Sequence, residues 1–191
     1  MTTPDPKTTL VEGLRRLNEQ VLHKLEGLSE YDLRRPMTPT GTNLLGVVKH
    51  LAAVQAGYFG ETFGRPFPGE LPFDDHDPQA DLYAAAEETS ESVKQFYRGS
   101  WQHALETFDD RDVDAVGRVP WWSDPEVSLH QILVHMTNET ARHAGHMDIV
   151  RETIDGAVGR TADDANIVDG YDWPAYVEKL EAIARQVGET G

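Results

Sequence analysis

The chain has 191 residues and a formal net charge of −16, because 33 Asp and Glu outnumber 17 Lys and Arg. That length suits a single domain over residues 1–191, whereas the acidic balance argues against nucleic-acid binding, which needs a basic surface. Cysteine is absent, so disulfides and thiolate ligands are excluded, and any bound metal must be held by nitrogen and oxygen atoms.

Apolar residues recur at the spacing of one helix face in several long segments. The predicted helices cover about residues 7–28, 44–63, 78–108, 129–155 and 173–187. Thr42 or Asn43 can cap the second of them, and Ser128 can cap the fourth. Residues 64–78 and 109–127 are predicted to be long loops. Four long helices without a sustained strand pattern predict an all-α four-helix bundle with long crossover connections and a short carboxyl-terminal helix.

A carboxylate and two imidazoles lie on the face of the fourth helix that should be buried. Glu139, His143 and His146 follow one another at intervals of four and three residues, so their side chains point the same way. Met136 and Met147 fall on the same face, as part of an apolar stripe. Burying three polar groups on such a stripe is costly unless something compensates, and a divalent metal does so directly.

The second helix offers a further imidazole. His50 lies three residues after Val47 and four before Val54, so it faces inward with them. A Glu-x-x-x-His pair on one helix with a third ligand on a neighbouring helix is a known way to build a metal site in a bundle. Three protein ligands leave coordination positions open, which is typical of a catalytic site.

Other interpretations of these residues stay open at this point. Glu139 can form an ion pair with His143 or with Arg142, and His50 can be a core histidine with a hydrogen-bond partner. His146 either binds the metal or lies one turn beyond it, as a hydrogen-bond donor or proton carrier.

Three stretches of the sequence carry a family resemblance. VKHL (48–51), PWWSDPEVSL (120–129) and HMTNETARHAGHMDIVRETIDGAVG (135–159) resemble the DinB-like metalloenzyme superfamily. The similarity is strongest to its actinobacterial mycothiol-dependent branch, which includes S-transferases and maleylpyruvate isomerase-like enzymes. It spans most of the chain.

The resemblance implies a DinB-like four-helix bundle, often dimeric, with a divalent metal bound between two helices. Its ligands would be His50, Glu139 and His143, because the mycothiol-linked relatives have glutamate where many others have a histidine. His146 stands where many relatives carry glutamine, so it is expected to be a catalytic pocket residue. Zinc is the expected metal, with nickel, manganese or iron as alternatives.

The expected function is that of a metal-dependent thiol transferase, which activates mycothiol for attack on a small electrophilic substrate. Arg142, Asn138 and Trp122 are the residues expected to contact the thiol. The alternatives are a mycothiol-dependent isomerase, a metal-dependent hydrolase that turns over without thiol, and a non-catalytic metal-binding stress protein.

The expected partners are the thiol, the electrophile and a second copy of the chain, with no nucleic acid and no membrane. No stretch approaches the roughly 18 apolar residues of a membrane span. The amino-terminal residues, MTTPDPKTTL, lack the pattern of a secretion signal. We therefore expect a cytoplasmic location.

Overall fold

The computed structural model describes residues 5–188, which form six α-helices and one small antiparallel sheet. The helices are α1 (Pro6–His23), α2 (Glu30–Arg34), α3 (Leu44–Phe59), α4 (Ser90–Asp110), α5 (Leu129–Asp155) and α6 (Trp173–Gly188). The strands are β1 (Val116–Arg118) and β2 (Glu126–Ser128), paired so that Gly117 faces Val127. None of the described helices is long and apolar enough to cross a lipid bilayer.

Four long helices form the body of the protein. α3 packs against α4 and α5, and α1 packs against α5. Long connections join α3 to α4 and α4 to α5. This architecture confirms the all-α bundle expected from the sequence. The expected final helix is present as α6, and every described residue of α6 is exposed.

Side-chain caps fix where α3 and α5 begin. The Asn43 carboxamide oxygen accepts a 2.7 Å hydrogen bond from the amide of Gly46, and the Ser128 hydroxyl accepts a 3.1 Å bond from that of Gln131. Each bond satisfies an amide that has no partner within the first helical turn. Gly156, with φ of 77°, ends α5 in the left-handed conformation that glycine tolerates.

Two helices end earlier than expected. The first helix ends at His23 rather than at residue 28, because a tight turn follows in which Gly27 has φ of 75°. The second ends at Phe59, and residues 61–63 form a separate 3-10 turn. Both differences shorten a helix at its carboxyl-terminal end.

The third long helix was predicted to begin near residue 78, and that prediction was wrong. α4 begins at Ser90, after a capping box formed by Thr89 and Ser92. Residues 78–89 are turns instead. Their carbonyl groups accept hydrogen bonds from Arg34 on α2 and Lys49 on α3, so tertiary contacts override the local helix preference.

The apolar core consists of two clusters, one toward each end of the bundle. One contains Leu45 and Val48 of α3 with Met147 of α5, and the other contains Phe59 of α3 with Met136 of α5. His50, Glu139 and His143 fall between these positions along their helices. A polar group of three side chains therefore lies at the middle of an otherwise apolar bundle.

Candidate metal centre

Three side chains from α3 and α5 converge at the middle of the bundle. One ligand atom from each of His50, Glu139 and His143 lies within 4.8 Å of the other two. Oε1 of Glu139 is 3.1 Å from Nε2 of His143 and 3.4 Å from Nε2 of His50. We call these residues the ligand trio; they are the set of His and acidic residues in the described part of the chain whose geometry can hold a metal ion.

Solvent reaches the ligand trio without surrounding it. The exposed fractions of the side chains are 18% for His50, 29% for Glu139 and 16% for His143. A fully closed set would suit a structural metal, whereas partial exposure leaves room for a substrate beside the ligands. Glu139 is paired with the two histidines, and no ion pair with Arg142 occurs among the described residues.

The protonation states of His143 and Glu139 match those that bind a divalent cation. Burial lowers the pKa of His143, and the neighbouring charge of His50 lowers it further, although Glu139 opposes both effects. Burial alone would raise the pKa of Glu139, but hydrogen bonding with His50 and the charge of His143 outweigh it, so the pKa of this carboxyl is lowered. A neutral imidazole and an ionised carboxylate are the ligand forms that metals require.

A second carboxylate, Asp81, orients His50 from the side away from the trio. Its Oδ2 atom lies 2.6 Å from Nδ1 of His50, and the residue is buried. Because an ionised carboxylate only accepts hydrogen bonds, Nδ1 of His50 donates to Asp81, and Nε2 is the atom of this imidazole that would bind a metal at the trio. This carboxylate–histidine arrangement commonly supports a metal ligand.

Asp81 was not predicted from the sequence to be a site residue. It lies 31 residues after His50, in the segment expected to be the start of the third helix. Only the observed path of residues 78–89 across α3 brings the two side chains together. The available signal was the density of acidic and turn-forming residues in DDHDPQAD, which is common in loops without any site.

Gly46 allows this segment to lie close to α3. A Cβ atom at position 46 would stand 1.8 Å from the carbonyl oxygen of Leu82, so any larger residue would displace the segment. The same carbonyl accepts a hydrogen bond of 3.3 Å from the Asn43 side chain. The cap of α3 and the glycine one turn later thus place Asp81 beside His50.

In the described part of the chain, no second carboxylate orients His143 on α5 in the way that Asp81 orients His50 on α3. Nδ1 of His143 is buried and has no hydrogen-bond partner among the described residues. His146 is exposed, and its ring centroid is 5.4 Å from that of His143. The prediction that His146 lies on the buried face of this helix is therefore wrong, because its side chain lies at the surface beside the trio.

The residues expected to contact a thiol lie in different places. Asn138 and Arg142 are exposed on α5 and line neither of the two cavities described below. Trp122 is half-buried, with its ring 5.0 Å from that of His135 and its Nε1 atom 3.3 Å from the Tyr58 hydroxyl. The structure does not bring these three residues together.

Two cavities flank the ligand trio along the bundle. The first, which we call the His146 cavity, measures about 470 Å³ and is lined by His143 and His146 together with Thr40, Thr42 and Gln79. The second, which we call the Trp121 cavity, measures about 450 Å³. Its apolar lining residues are Val54, Gly57, Tyr58, Leu71, Phe73 and Trp121.

The geometry gives the trio a defined chemical capability. It offers two imidazole nitrogens and one carboxylate oxygen, one imidazole is oriented by Asp81, and space for small molecules lies on both sides. This nitrogen and oxygen set fits zinc, nickel, manganese or iron, and it leaves coordination positions open.

Comparisons with known proteins show the fold and the family of this chain. A crystal structure described as the conserved protein of locus from Enterococcus faecalis has a TM-score of 0.58 at 17% sequence identity, covering 81% of this chain and 99% of that chain. At that identity the likeness shows the bundle fold alone. No curated protein matches the chain. The family model described as mycothiol S-transferase matches residues 9–156, which include the whole ligand trio and Asp81. The chain therefore belongs to the mycothiol S-transferase family, as its resemblance to the mycothiol-dependent branch of the DinB-like superfamily predicts.

Proposed function

We propose that this protein is a metal-dependent thiol S-transferase that uses mycothiol as its thiol substrate. The observation that carries the proposal is the convergence of His50, Glu139 and His143 between two cavities, in a chain of the mycothiol S-transferase family. The absence of cysteine is consistent with it, since the nucleophile would come with the cosubstrate and no protein thiol would compete for the metal.

The ligand trio would hold a divalent metal, for which we propose zinc, with nickel, manganese or iron as alternatives. When bound there, the metal supplies a Lewis acid that lowers the pKa of a thiol sulfur, so that the thiolate is available near neutral pH. Asp81 would accept a hydrogen bond from Nδ1 of His50 and so leave Nε2 to bind the metal, and the Glu139 carboxylate would offset part of the metal's positive charge.

The proposed reaction forms one carbon–sulfur bond. The thiolate attacks an electrophilic carbon of the second substrate, and the leaving group departs with the bonding electrons. The thiol proton must first reach solvent. His146 is exposed beside His143 and can pass that proton outward, which is the catalytic role proposed for it.

The His146 cavity suits the polar part of such a thiol. Mycothiol is a sugar-linked thiol with many hydroxyl groups, and Thr40, Thr42 and Gln79 supply hydroxyl and carboxamide groups beside His146. Contact of Asn138, Arg142 and Trp122 with the thiol stays a prediction. The cytoplasmic location, the homodimer and the single domain over residues 1–191 also stay predictions.

Consumption of thiol by the purified protein tests the proposal. Protein loaded with zinc is incubated with mycothiol and an alkylating electrophile, and the loss of free thiol is followed. We expect His50→Ala, Glu139→Ala and His143→Ala to abolish the enzymatic rate, and the exposed control His130→Ala to retain it. Loss of the electrophile at the same rate without thiol would instead indicate hydrolysis, and unchanged activity of the three variants would refute the proposal.

A further inference from the structure

The Trp121 cavity has the character of a ligand site and not of a packing defect. Its volume of about 450 Å³ lies in the range of small-molecule pockets. Two aromatic side chains at its rim are largely exposed, Phe73 at 56% and Trp121 at 58%. Neither of them belongs to the two core clusters. Two large aromatic residues beside an open apolar cavity leave apolar surface that a ligand would cover.

The cavity begins one helical turn from the metal ligands. Val54 lies four residues after His50, on the same face of α3, and Tyr58 lies one turn further. The Tyr58 ring is 4.7 Å from that of His135, which is itself one turn before Glu139 on α5. The His146 cavity lies in the opposite direction along both helices, so the trio stands between the two cavities.

Gly57 keeps the Trp121 cavity open. It is buried in the interior of α3, where glycine costs roughly 1 kcal/mol of helix stability relative to alanine. Its φ is not positive, and an added Cβ would meet no atom within 4 Å. Neither the backbone conformation nor a close approach therefore requires glycine here. Because position 57 has no side chain, the space beside it stays open and forms part of the cavity.

The lining of the cavity disfavours anions. No Lys or Arg lines it, and the carboxylate of Glu61 stands at its edge. His135, which packs behind Tyr58, has its pKa lowered by burial and is therefore neutral near pH 7. A ligand carboxylate would lose hydration there without gaining a cationic partner. An uncharged ring system would gain contact with three aromatic side chains.

We propose that the Trp121 cavity binds the electrophilic substrate, and that this substrate is an uncharged apolar compound built on one or two aromatic rings. This inference rests on the proposed transferase function, in which the thiol occupies the His146 cavity and its sulfur lies at the trio. The electrophilic carbon of a ring compound seated against Tyr58 would then project toward His50, within reach of the thiolate.

The experiment compares two probes of equal ring size, uncharged 2-naphthol and anionic 2-naphthoate, binding to zinc-loaded protein without any thiol. Binding is followed by titration calorimetry. We expect 2-naphthol to bind at least about tenfold more tightly than 2-naphthoate. Equal affinity for the two probes, or no binding of 2-naphthol, would overturn the inference.

Gly57→Leu fills the cavity from within a helix, and it should weaken 2-naphthol binding at least tenfold while zinc content stays unchanged. Gly13→Leu is the matched control, because it makes the same change on α1, where an added Cβ also meets no atom within 4 Å. It should bind as the unmodified protein does. Phe73→Asp, at an exposed position, gives a second loss-of-binding variant that does not depend on the bundle interior. Unaltered binding in Gly57→Leu and Phe73→Asp would contradict the proposal.

This test separates the inference from the function on which it rests. 2-Naphthol has no reactive carbon and needs no thiol, so the loss of its binding in Gly57→Leu, where zinc content stays unchanged, reports on the cavity and not on the zinc or the reaction. Thiol consumption without 2-naphthol binding would remove the cavity assignment and leave the transferase. Binding of 2-naphthol without any thiol consumption would remove the transferase, and with it the identification of the ligand as an electrophilic substrate.

Discussion

The candidate metal ligands on α3 and on α5 are held in different ways. His50 on α3 receives outside support, since Asp81 accepts a hydrogen bond from its Nδ1 atom at 2.6 Å. Glu139 and His143 on α5 hold each other one turn apart, and Nδ1 of His143 has no partner among the described residues. Glu139 and His143 can be recognised in the sequence by their spacing of four residues. The contact between Asp81 and His50 is created only by the fold and cannot be read from spacing.

Loss of a trio residue should have the largest effect. Addition of zinc to metal-free protein is expected to raise its melting temperature, because a ligand that binds only the folded state stabilises it. His50→Ala, Glu139→Ala and His143→Ala should each remove this increase, through a loss of zinc affinity beyond about 100-fold. A full increase in any of the three variants would show that the residue is not a ligand.

Removal of the carboxylate behind His50 comes next. Asp81→Asn keeps the shape of the side chain but no longer requires a proton on Nδ1 of His50, so we expect zinc affinity to fall about 10–100-fold. Competition with a chelator measures it. Asp77→Asn is the control, because Asp77 lies in the same connection and contacts Tyr83 and backbone groups. Equal affinities of the two variants would remove Asp81 from the site.

Gly46→Ala is expected to affect zinc binding less than Asp81→Asn, because it acts only through the position of the segment that carries Asp81. Its direct effect is on the stability of the fold. The new methyl group cannot fit beside the Leu82 carbonyl, so the segment must shift, at a cost of about 1–3 kcal/mol in the free energy of unfolding. Gly145→Ala on α5 is the control, since its Cβ meets no atom within 4 Å. Denaturant titration compares them, and equal stability of the two variants would contradict the close approach.

The smallest effect concerns pH and His135 on α5. Its folded-state pKa is lowered, mainly by burial, so below the ordinary imidazole pKa of about 6.5 the unfolded chain binds more protons than the folded one. The stability contributed here is complete above that pH and is lost as pH falls from 7 toward 5. His135→Gln should flatten this part of the stability profile, and His130→Gln should not. Identical profiles for the two variants would argue against a neutral, half-buried His135.

Much of the fold followed from helical periodicity, and its errors have physical causes. α1, α3, α5 and α6 are visible as apolar helix faces, α4 is visible as a segment rich in Ala, Glu and alternating charges, and Asn43 and Ser128 are local caps. The start of α4 was missed because residues 78–89 include good helix formers whose carbonyls are engaged by Arg34 and Lys49. Such contacts come from parts of the chain about 35–50 residues away and leave no local pattern.

The site, like the fold, was predictable where it depends on local spacing and not where it depends on tertiary contacts. Glu139 and His143 are a one-turn pair, and His50 lies on an apolar helix face, so spacing and family resemblance suggested all three. Asp81, Gly46 and Gly57 were not found. Their roles depend on which backbone or cavity lies opposite them, and one-dimensional spacing does not contain that information.

Elemental analysis of protein purified without a metal-affinity tag tests the central claim most directly. The structure predicts about one equivalent of zinc, or of nickel, manganese or iron, which is absent from Glu139→Ala and retained in His130→Ala. Protein that contains no metal, even after incubation with zinc, would contradict the account, and would leave His50, Glu139 and His143 as a buried hydrogen-bonded group within the bundle.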